Sequence, residues 1–248
     1  MEKELKIKNL ATKIYLPTST PSQIVIGIHG FFGDKESSVL VKLGKELSQA
    51  NTALVTFDLP CHGANDNSKL LKLSDCKQAI EDVFSWVHKN FPGKPISVFA
   101  TSFGGYLTLL YLSNHIEQLN KIILRAPAIN MSQVLENVLL PFQSLSAEDL
   151  KSTTDIGKEQ RLLVDYHFIE ELRNNNLHQI KPVETFLYIL QGKKDDIVNP
   201  EENANFFNKN YPNRHQIIYF ENADHRFKKP GELDKIISDT LSILIDEK

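Results

Sequence analysis

The sequence predicts an α/β fold: a mostly parallel sheet with helices on both faces. Three observations carry this. Short apolar, β-branched runs alternate with segments of helical spacing along nearly all of the 248 residues. The run Ile24-Val25-Ile26-Gly27-Ile28 is apolar throughout, as a strand covered on both faces requires. Turn residues such as Pro92-Gly93 punctuate the alternation.

Taken in order, residues 4–16 alternate in polarity and break at Asn9, predicting two short strands in a hairpin. Residues 24–29 form the next strand. Val39, Leu40, Leu43 and Leu47 give residues 37–49 a helical face. Residues 53–57 are a strand ending at Asp58. Ser74 is the expected cap of a helix that runs through Ala79, Ile80, Val83, Trp86 and Val87 to about Asn90. Phe91-Pro92-Gly93 stops it. Residues 96–100 read as strand, 103–113 as helix and 121–125 as strand. Between about Ala126 and Pro182 the alternation pauses; the spacing there is mostly helical, with breaks at Pro141 and Gly157. It resumes with a strand at 184–190, a helix at 200–210, a strand at 215–220 and a helix at 232–245. The expected organisation is one domain over 1–248, with a small helical cap inserted at about 127–182.

Composition narrows the function classes. Hydrophobic residues make up 41% of the chain, enough to bury a sizeable core without staples. With 28 Lys+Arg against 31 Asp+Glu, nothing suggests a nucleic-acid partner. No apolar run is long enough to span a bilayer. The first residues, Met1-Glu2-Lys3-Glu4-Leu5-Lys6, lack the apolar core of a secretory signal. Cys61 and Cys76 are the only cysteines, which suits a reducing, cytoplasmic setting. The chain has no His-x-x-x-His or Cys-x-x-Cys spacing and no glycine-rich phosphate loop, so neither metal nor nucleotide cofactor is expected.

The most informative stretch is Ile96-Ser97-Val98-Phe99-Ala100-Thr101-Ser102-Phe103-Gly104-Gly105. An apolar strand runs into Ala-x-Ser-x-Gly, and an apolar helix follows at once. So sharp a turn needs small flanking residues, which Ala100 and Gly104 supply. Ser102 then sits at the apex beside a helix N-terminus, whose free N–H groups favour developing negative charge. A serine so placed is a nucleophile only if a base is near. A histidine and an orienting carboxylate are available past two later strands: Asp195 and Asp196 after residues 186–190, and Asp224-His225 after residues 217–220. Ligands gather past such strand ends in open α/β sheets.

The chain resembles the α/β-hydrolase fold superfamily, in which nucleophile, acid and histidine occur in that order. The resemblance rests on His29-Gly30-Phe31-Phe32-Gly33, Asp58-Leu59-Pro60-Cys61-His62-Gly63, the Ser102 turn, Gly192-x-x-Asp195-x-x-Val198 and Ala223-Asp224-His225. Within the superfamily it is similar to bacterial carboxylesterases of the cinnamoyl/feruloyl-esterase and monoacylglycerol-lipase-like groups. The resemblance implies Ser102 as nucleophile, His225 as general acid/base and Asp195, rather than Asp196, as orienting acid. It also implies the backbone N–H groups of Phe31 and Phe103 as oxyanion donors, and it implies no cofactor. Asp224 is expected to be structural, because a neighbouring residue cannot easily reach back to the imidazole. Two departures stand out: Ala100 replaces the more usual glycine, and Pro60-Cys61 occupies a loop where relatives often carry Arg-Gly.

The expected activity is serine-dependent hydrolysis of carboxylic esters of small molecules. Cleavage of peptides or thioesters by the same triad, or slow-turnover ligand binding on the same fold, are the alternatives. Phe31 and Phe32 favour a substrate with an apolar acyl chain or ring. Among cap residues, Phe142, Leu145, Leu162, Leu163, Tyr166, Phe168 and Ile169 are expected to pack on the body or line a pocket, with Tyr166 a candidate for hydrogen bonding to substrate. His167 and His178 are possible pocket residues too. His29 is expected to stabilise the loop around Phe31 rather than transfer protons.

Overall fold

Alternation along one strand divides its side chains between two cores. In β3 (Gln23–Ile28), Ile24, Ile26 and Ile28 pack into one apolar cluster and Val25 into another. This is the behaviour of a strand buried on both faces. The computed structural model describes residues 1–115, 119–141, 144–157, 161–182 and 184–245.

The sheet begins with β1 (Glu2–Ile7) and β2 (Leu10–Tyr15), an antiparallel hairpin that turns at Lys8-Asn9 with Lys8 at φ +51°. β2 pairs antiparallel with β4 (Thr52–Phe57), and β4 runs parallel to β3. The parallel run continues through β5 (Ile96–Thr101), β6 (Ile122–Arg125), β9 (Leu187–Gly192) and β10 (His215–Phe220). The order is β1-β2-β4-β3-β5-β6-β9-β10. β9 starts later and ends later than its apolar run suggested. Its limits follow the ladder instead: Leu187 is the first residue opposite both Ile122 and His215, and Gly192 is opposite Phe220.

Helices cover both faces. α1 (Ser38–Gln49) and α7 (Glu232–Ile245) pack on one, with Leu40, Leu43 and Leu47 meeting Ile236 and Leu244 in a shared cluster. α2 (Leu73–Asn90), α3 (Phe103–Asn114) and α6 (Pro200–Asn210) contribute to the other core. Ser74 does not cap α2. It is exposed within the first turn, and the helix N-terminus is held by Glu171, whose carboxylate accepts from Leu73 N–H at 2.8 Å and Ser74 N–H at 3.2 Å.

Between β6 and β9 the chain forms α4 (Met131–Val134), a π-helical turn (Leu135–Leu139), a 3-10 turn (Ala147–Lys151) and α5 (Tyr166–Asn174). It also forms a small antiparallel ribbon of β7 (Thr154–Ile156) and β8 (Leu162–Val164), which the mostly helical spacing did not predict. Strands of three residues are too short to show a period. β8 is tied to the body where Leu71 N–H donates to Leu163 O at 2.8 Å. Gly157 ends β7 at φ +99°, in line with its expected role as a break. Phe142 lies outside the described residues. Among the described residues no helix is long and apolar enough to cross a membrane.

Candidate active site

Ser102 joins β5 to α3 with φ +50° and ψ −112°, a conformation strained for any residue with a side chain. Its peptide groups are pinned on both sides. Ser102 N–H donates to Arg125 O at 2.9 Å, and Ser102 O accepts from Tyr106 N–H and Ala128 N–H, each at 3.1 Å. α3 then packs directly on the end of β3. A Cβ at Gly104 would stand 2.6 Å from His29 O and 2.7 Å from Ile28 O, so only glycine fits there. The hydroxyl is left at the edge of the sheet with the side chain almost covered.

Two distant loops complete the arrangement. His225 follows β10, and its Nε2 lies 3.1 Å from Ser102 Oγ. Its Nδ1 lies 3.0 and 2.9 Å from the two carboxylate oxygens of Asp195, which follows β9. A carboxylate only accepts, so Nδ1 carries the proton and Nε2 is free to accept from the hydroxyl. The Asp195 side chain is fully buried and held by further donors: Ile197 N–H at 3.0 Å and Val198 N–H at 2.8 Å on Oδ1, and Gln191 Nε2 at 3.0 Å on Oδ2. The two loops are drawn together at Gly192, where a Cβ would stand 2.5 Å from Ala223 O.

The loop carrying Phe31 is braced from beneath. His29 donates from Nδ1 to Gly30 O at 2.7 Å and accepts from Leu59 N–H on Nε2 at 2.9 Å, which assigns its tautomer. Burial lowers its pKa to about 4, so it is neutral, and with both ring nitrogens engaged by the backbone it braces the loop. Asp58, also buried, accepts from Lys35 N–H at 2.7 Å and pairs with Lys35 Nζ at 3.1 Å. Asp58 and Leu59, just ahead of the unusual Pro60-Cys61, thus support the Phe31 loop. Phe31 N–H has no protein acceptor among the described residues. Phe103 N–H, in the first turn of α3, has none within the helix.

Above Ser102 lies a cleft of about 860 Å³. Phe31, Phe32, Met131, Val134, Leu139 and Ile197 make much of its wall apolar. The segment between β6 and β9 therefore reaches the cleft through α4 and the turn after it. Phe168 acts indirectly: it stacks on Phe31 with centroids 6.1 Å apart and meets Phe103 edge-on at 6.5 Å.

Other sequence candidates fall elsewhere. Tyr166 does not line the cleft; its hydroxyl accepts from Arg173 Nη1 at 3.0 Å, and Arg173 is paired with Glu136 at 2.6 Å. Arg173, on the same helix, already engages that hydroxyl. His167 and His178 are exposed and outside the cleft, and Leu162, Phe168 and Ile169 are core residues. Leu145 packs half-buried against the core. Asp196 lines the cleft but does not contact His225, while Asp224 Oδ1 accepts from Arg226 and Phe227 N–H, shaping the loop. Cys61 and Cys76 are unpaired, and burial pushes the Cys61 thiol up to about 11.

Three residues at the site were not singled out in the sequence. Gln191 supports Asp195, and Asn203 Nδ2 donates to Gln191 Oε1 at 2.8 Å and Pro127 O at 3.0 Å. Arg125 donates from Nη2 to the carbonyls of His225 and Arg226 at 3.3 and 3.2 Å, fixing the histidine loop to β6. An arginine closing a strand run expected to be buried, and a glutamine directly after another, were the available signals.

Comparison with known proteins places this geometry. The family signature described as serine aminopeptidase, S33, matches residues 19–185, a span that includes Ser102 and stops before Asp195 and His225. The chain is similar to the mitochondrial palmitoyl-protein thioesterase ABHD10 of Rattus norvegicus, at 25% identity over 255 residues covering 98% of this chain and 82% of that protein. Its structure is similar to Est1E of Butyrivibrio proteoclasticus bound to ferulic acid, with TM-score 0.80, 16% identity and 98% of each chain covered. It is also similar to a monoacylglycerol lipase from Paleococcus ferrophilus, with TM-score 0.71, 17% identity, and 95% of this chain and 98% of that one covered. The resemblance drawn from the sequence to both of these groups is borne out at the level of fold. The chain is a serine hydrolase of the α/β-hydrolase fold and belongs to the serine aminopeptidase S33 family.

Proposed function

We propose that the protein cleaves carboxylic esters of small molecules through an acyl-enzyme, with Ser102 as nucleophile, His225 as general acid/base and Asp195 as orienting acid. The observation that carries this is the unbroken chain of contacts from Asp195 through His225 to Ser102 Oγ at 3.1 Å. His225 Nε2 takes the hydroxyl proton as Oγ attacks the ester carbonyl. The N–H groups of Phe31 and Phe103 hold the resulting oxyanion, and each such donor is worth roughly 100- to 1,000-fold in rate. His225 then returns the proton to the departing alcohol. Water, deprotonated by the same imidazole, frees the acid. Asp195 keeps the proton on Nδ1 and stabilises the imidazolium while it lasts.

In this reading residues 1–248 act as one catalytic domain, and about 127–182 form a cap whose apolar residues receive an acyl chain or ring. No metal or other cofactor takes part in the steps. The unpaired cysteines suit a cytoplasmic setting. Thioester cleavage is the second reading, favoured by the name of the relative that covers nearly the whole chain. Both reactions share every step up to the leaving group, so a panel separates them. With matched 4-nitrophenyl esters, acyl thioesters and peptide anilides, the ester should turn over fastest, and Ser102→Ala should abolish turnover. A fluorophosphonate should label Ser102 alone. Ester hydrolysis that survives in Ser102→Ala, or label on another serine, overturns the assignment.

A further inference from the structure

Beside the cleft lies a second cavity of about 330 Å³, and the two share Ser38, Val39, Arg125, Arg226 and Lys228 in their walls. Its surroundings are strongly cationic. Arg125, Arg226, Lys228 and Lys229 line it, against one carboxylate, Asp234, which is already paired with Lys42. The acids of the main cleft, Asp34, Glu36, Asp196 and Asp224, do not line it.

Two of the cations are uncommitted: among the described residues the side chains of Arg226 and Lys228 have neither ion pair nor hydrogen bond. Arg125 is 9% exposed, and its Nε is buried without a partner. Burial lowers its pKa to about 10, so it remains charged at neutral pH. The third contributor is the N-terminus of α1, a 12-residue helix with no side-chain cap and no acidic residue in its first turn. Its first N–H groups have no intrahelical partner and carry partial positive charge, and Ser38 and Val39 of that turn line the cavity. Asp195 and Asp224 offset Arg125 from the side of the main cleft, whereas the exposed Arg226 and Lys228 have no such partner and leave the mouth of the cavity with positive charge that an entering anion would neutralise.

We propose that this cavity is an anion subsite of the hydrolase, so that its preferred substrates carry a carboxylate or phosphate group on the part reaching past the scissile ester or thioester. The anion is held by Arg226, Lys228 and the α1 N-terminus, with Arg125 as the buried wall. This rests on the reading of Ser102 as nucleophile, and it places the charged group outside the apolar part of the cleft.

Matched substrates test it. 4-Nitrophenyl hemiglutarate is compared with 4-nitrophenyl valerate for a charge on the acyl side. 4-Carboxyphenyl and 4-phosphophenyl butyrates are compared with phenyl butyrate for a charge on the leaving group. At low salt one anionic member should exceed its neutral mate in kcat/KM on the order of tenfold, mainly through KM. Arg226→Glu/Lys228→Glu should bring that ratio to parity or invert it. Equal kcat/KM within every wild-type pair, or a ratio unmoved by the double substitution, overturns the subsite. Should the wild type turn over none of these esters, the hydrolase reading fails separately. The subsite is then judged by equilibrium binding of glutaric acid monoanilide against valeranilide: tighter binding of the anion, lost in the double variant, supports it, and equal affinity rejects it.

Discussion

Gln191 Nε2 stands 3.0 Å from Asp195 Oδ2, the oxygen that also lies 2.9 Å from His225 Nδ1. With Ile197 and Val198 N–H on the other oxygen, the carboxylate is fixed in the plane that the imidazole needs. Gln191→Leu keeps the bulk and removes the donor. A hydrogen bond to a charged group contributes roughly 1.5–3 kcal/mol, and each 1.4 kcal/mol or so is tenfold in rate. Steady-state kinetics on 4-nitrophenyl butyrate should show kcat lowered by about tenfold or more with KM within about twofold. A change confined to KM would mean that Gln191 shapes the cleft rather than the acid.

The strained turn at Ser102 makes a stability prediction that is independent of catalysis. Ser102→Ala and Ser102→Gly both remove the proposed nucleophile, and each should lower kcat by roughly 10,000-fold or more. Only glycine relieves φ +50°. Strain in such regions costs about 1–3 kcal/mol, partly offset by glycine's greater freedom when unfolded, roughly 0.5–1 kcal/mol. Ser102→Gly should therefore melt a few degrees above Ser102→Ala in calorimetry. Equal melting temperatures would show that the turn stores no strain.

These two residues differ in how visible they were beforehand. Ser102, Asp195 and His225 were legible because each follows an apolar strand within a short local pattern. The tertiary structure then had only to bring three strand ends together. Gln191 lies beside the same strand end, but its role depends on Asn203 and Pro127, which no local spacing connects to it. Tyr166 was misplaced for the same reason, since its partner Arg173 is itself held by Glu136 from another element. The ribbon β7–β8 was invisible because three residues cannot display a period. The central strands were plain, because burial on both faces leaves mostly apolar residues to read.

His29 and His62 carry a pH dependence. Burial lowers their pKa values from 6.5 to about 4 and about 3, so both stay neutral in the folded protein well below pH 6.5. The unfolded chain takes up protons there and the folded one does not. Stability is therefore complete above pH 6.5 and is lost as pH falls from 6.5 towards 4, by about 1.4 kcal/mol per pH unit for each histidine once its unfolded form is mostly protonated. Urea unfolding between pH 6 and 4.5 should show this slope, and His62→Gln should reduce it by roughly one proton's worth. An unchanged slope in that variant would reject the buried neutral state of His62.

The capping of α2 separates local from tertiary control of a helix end. Ser74 has the residue type of a cap, yet Glu171, 98 residues from Leu73, does the work with both carboxylate oxygens. A capping interaction typically contributes about 1 kcal/mol, and a partly buried charge at a helix N-terminus up to about 2 kcal/mol. Glu171 also ties α5 to the body alongside Tyr106, whose hydroxyl donates to Asn175 O at 2.9 Å. Glu171→Ala should thus lower unfolding free energy by about 1–2 kcal/mol, or a melting shift of roughly 2–8 °C for a chain of this size. Ser74→Ala, with its side chain in solvent, should stay within about 0.5 kcal/mol of wild type. The reverse ranking of the two variants in chemical denaturation would return the cap to Ser74 and leave Glu171 as a surface contact.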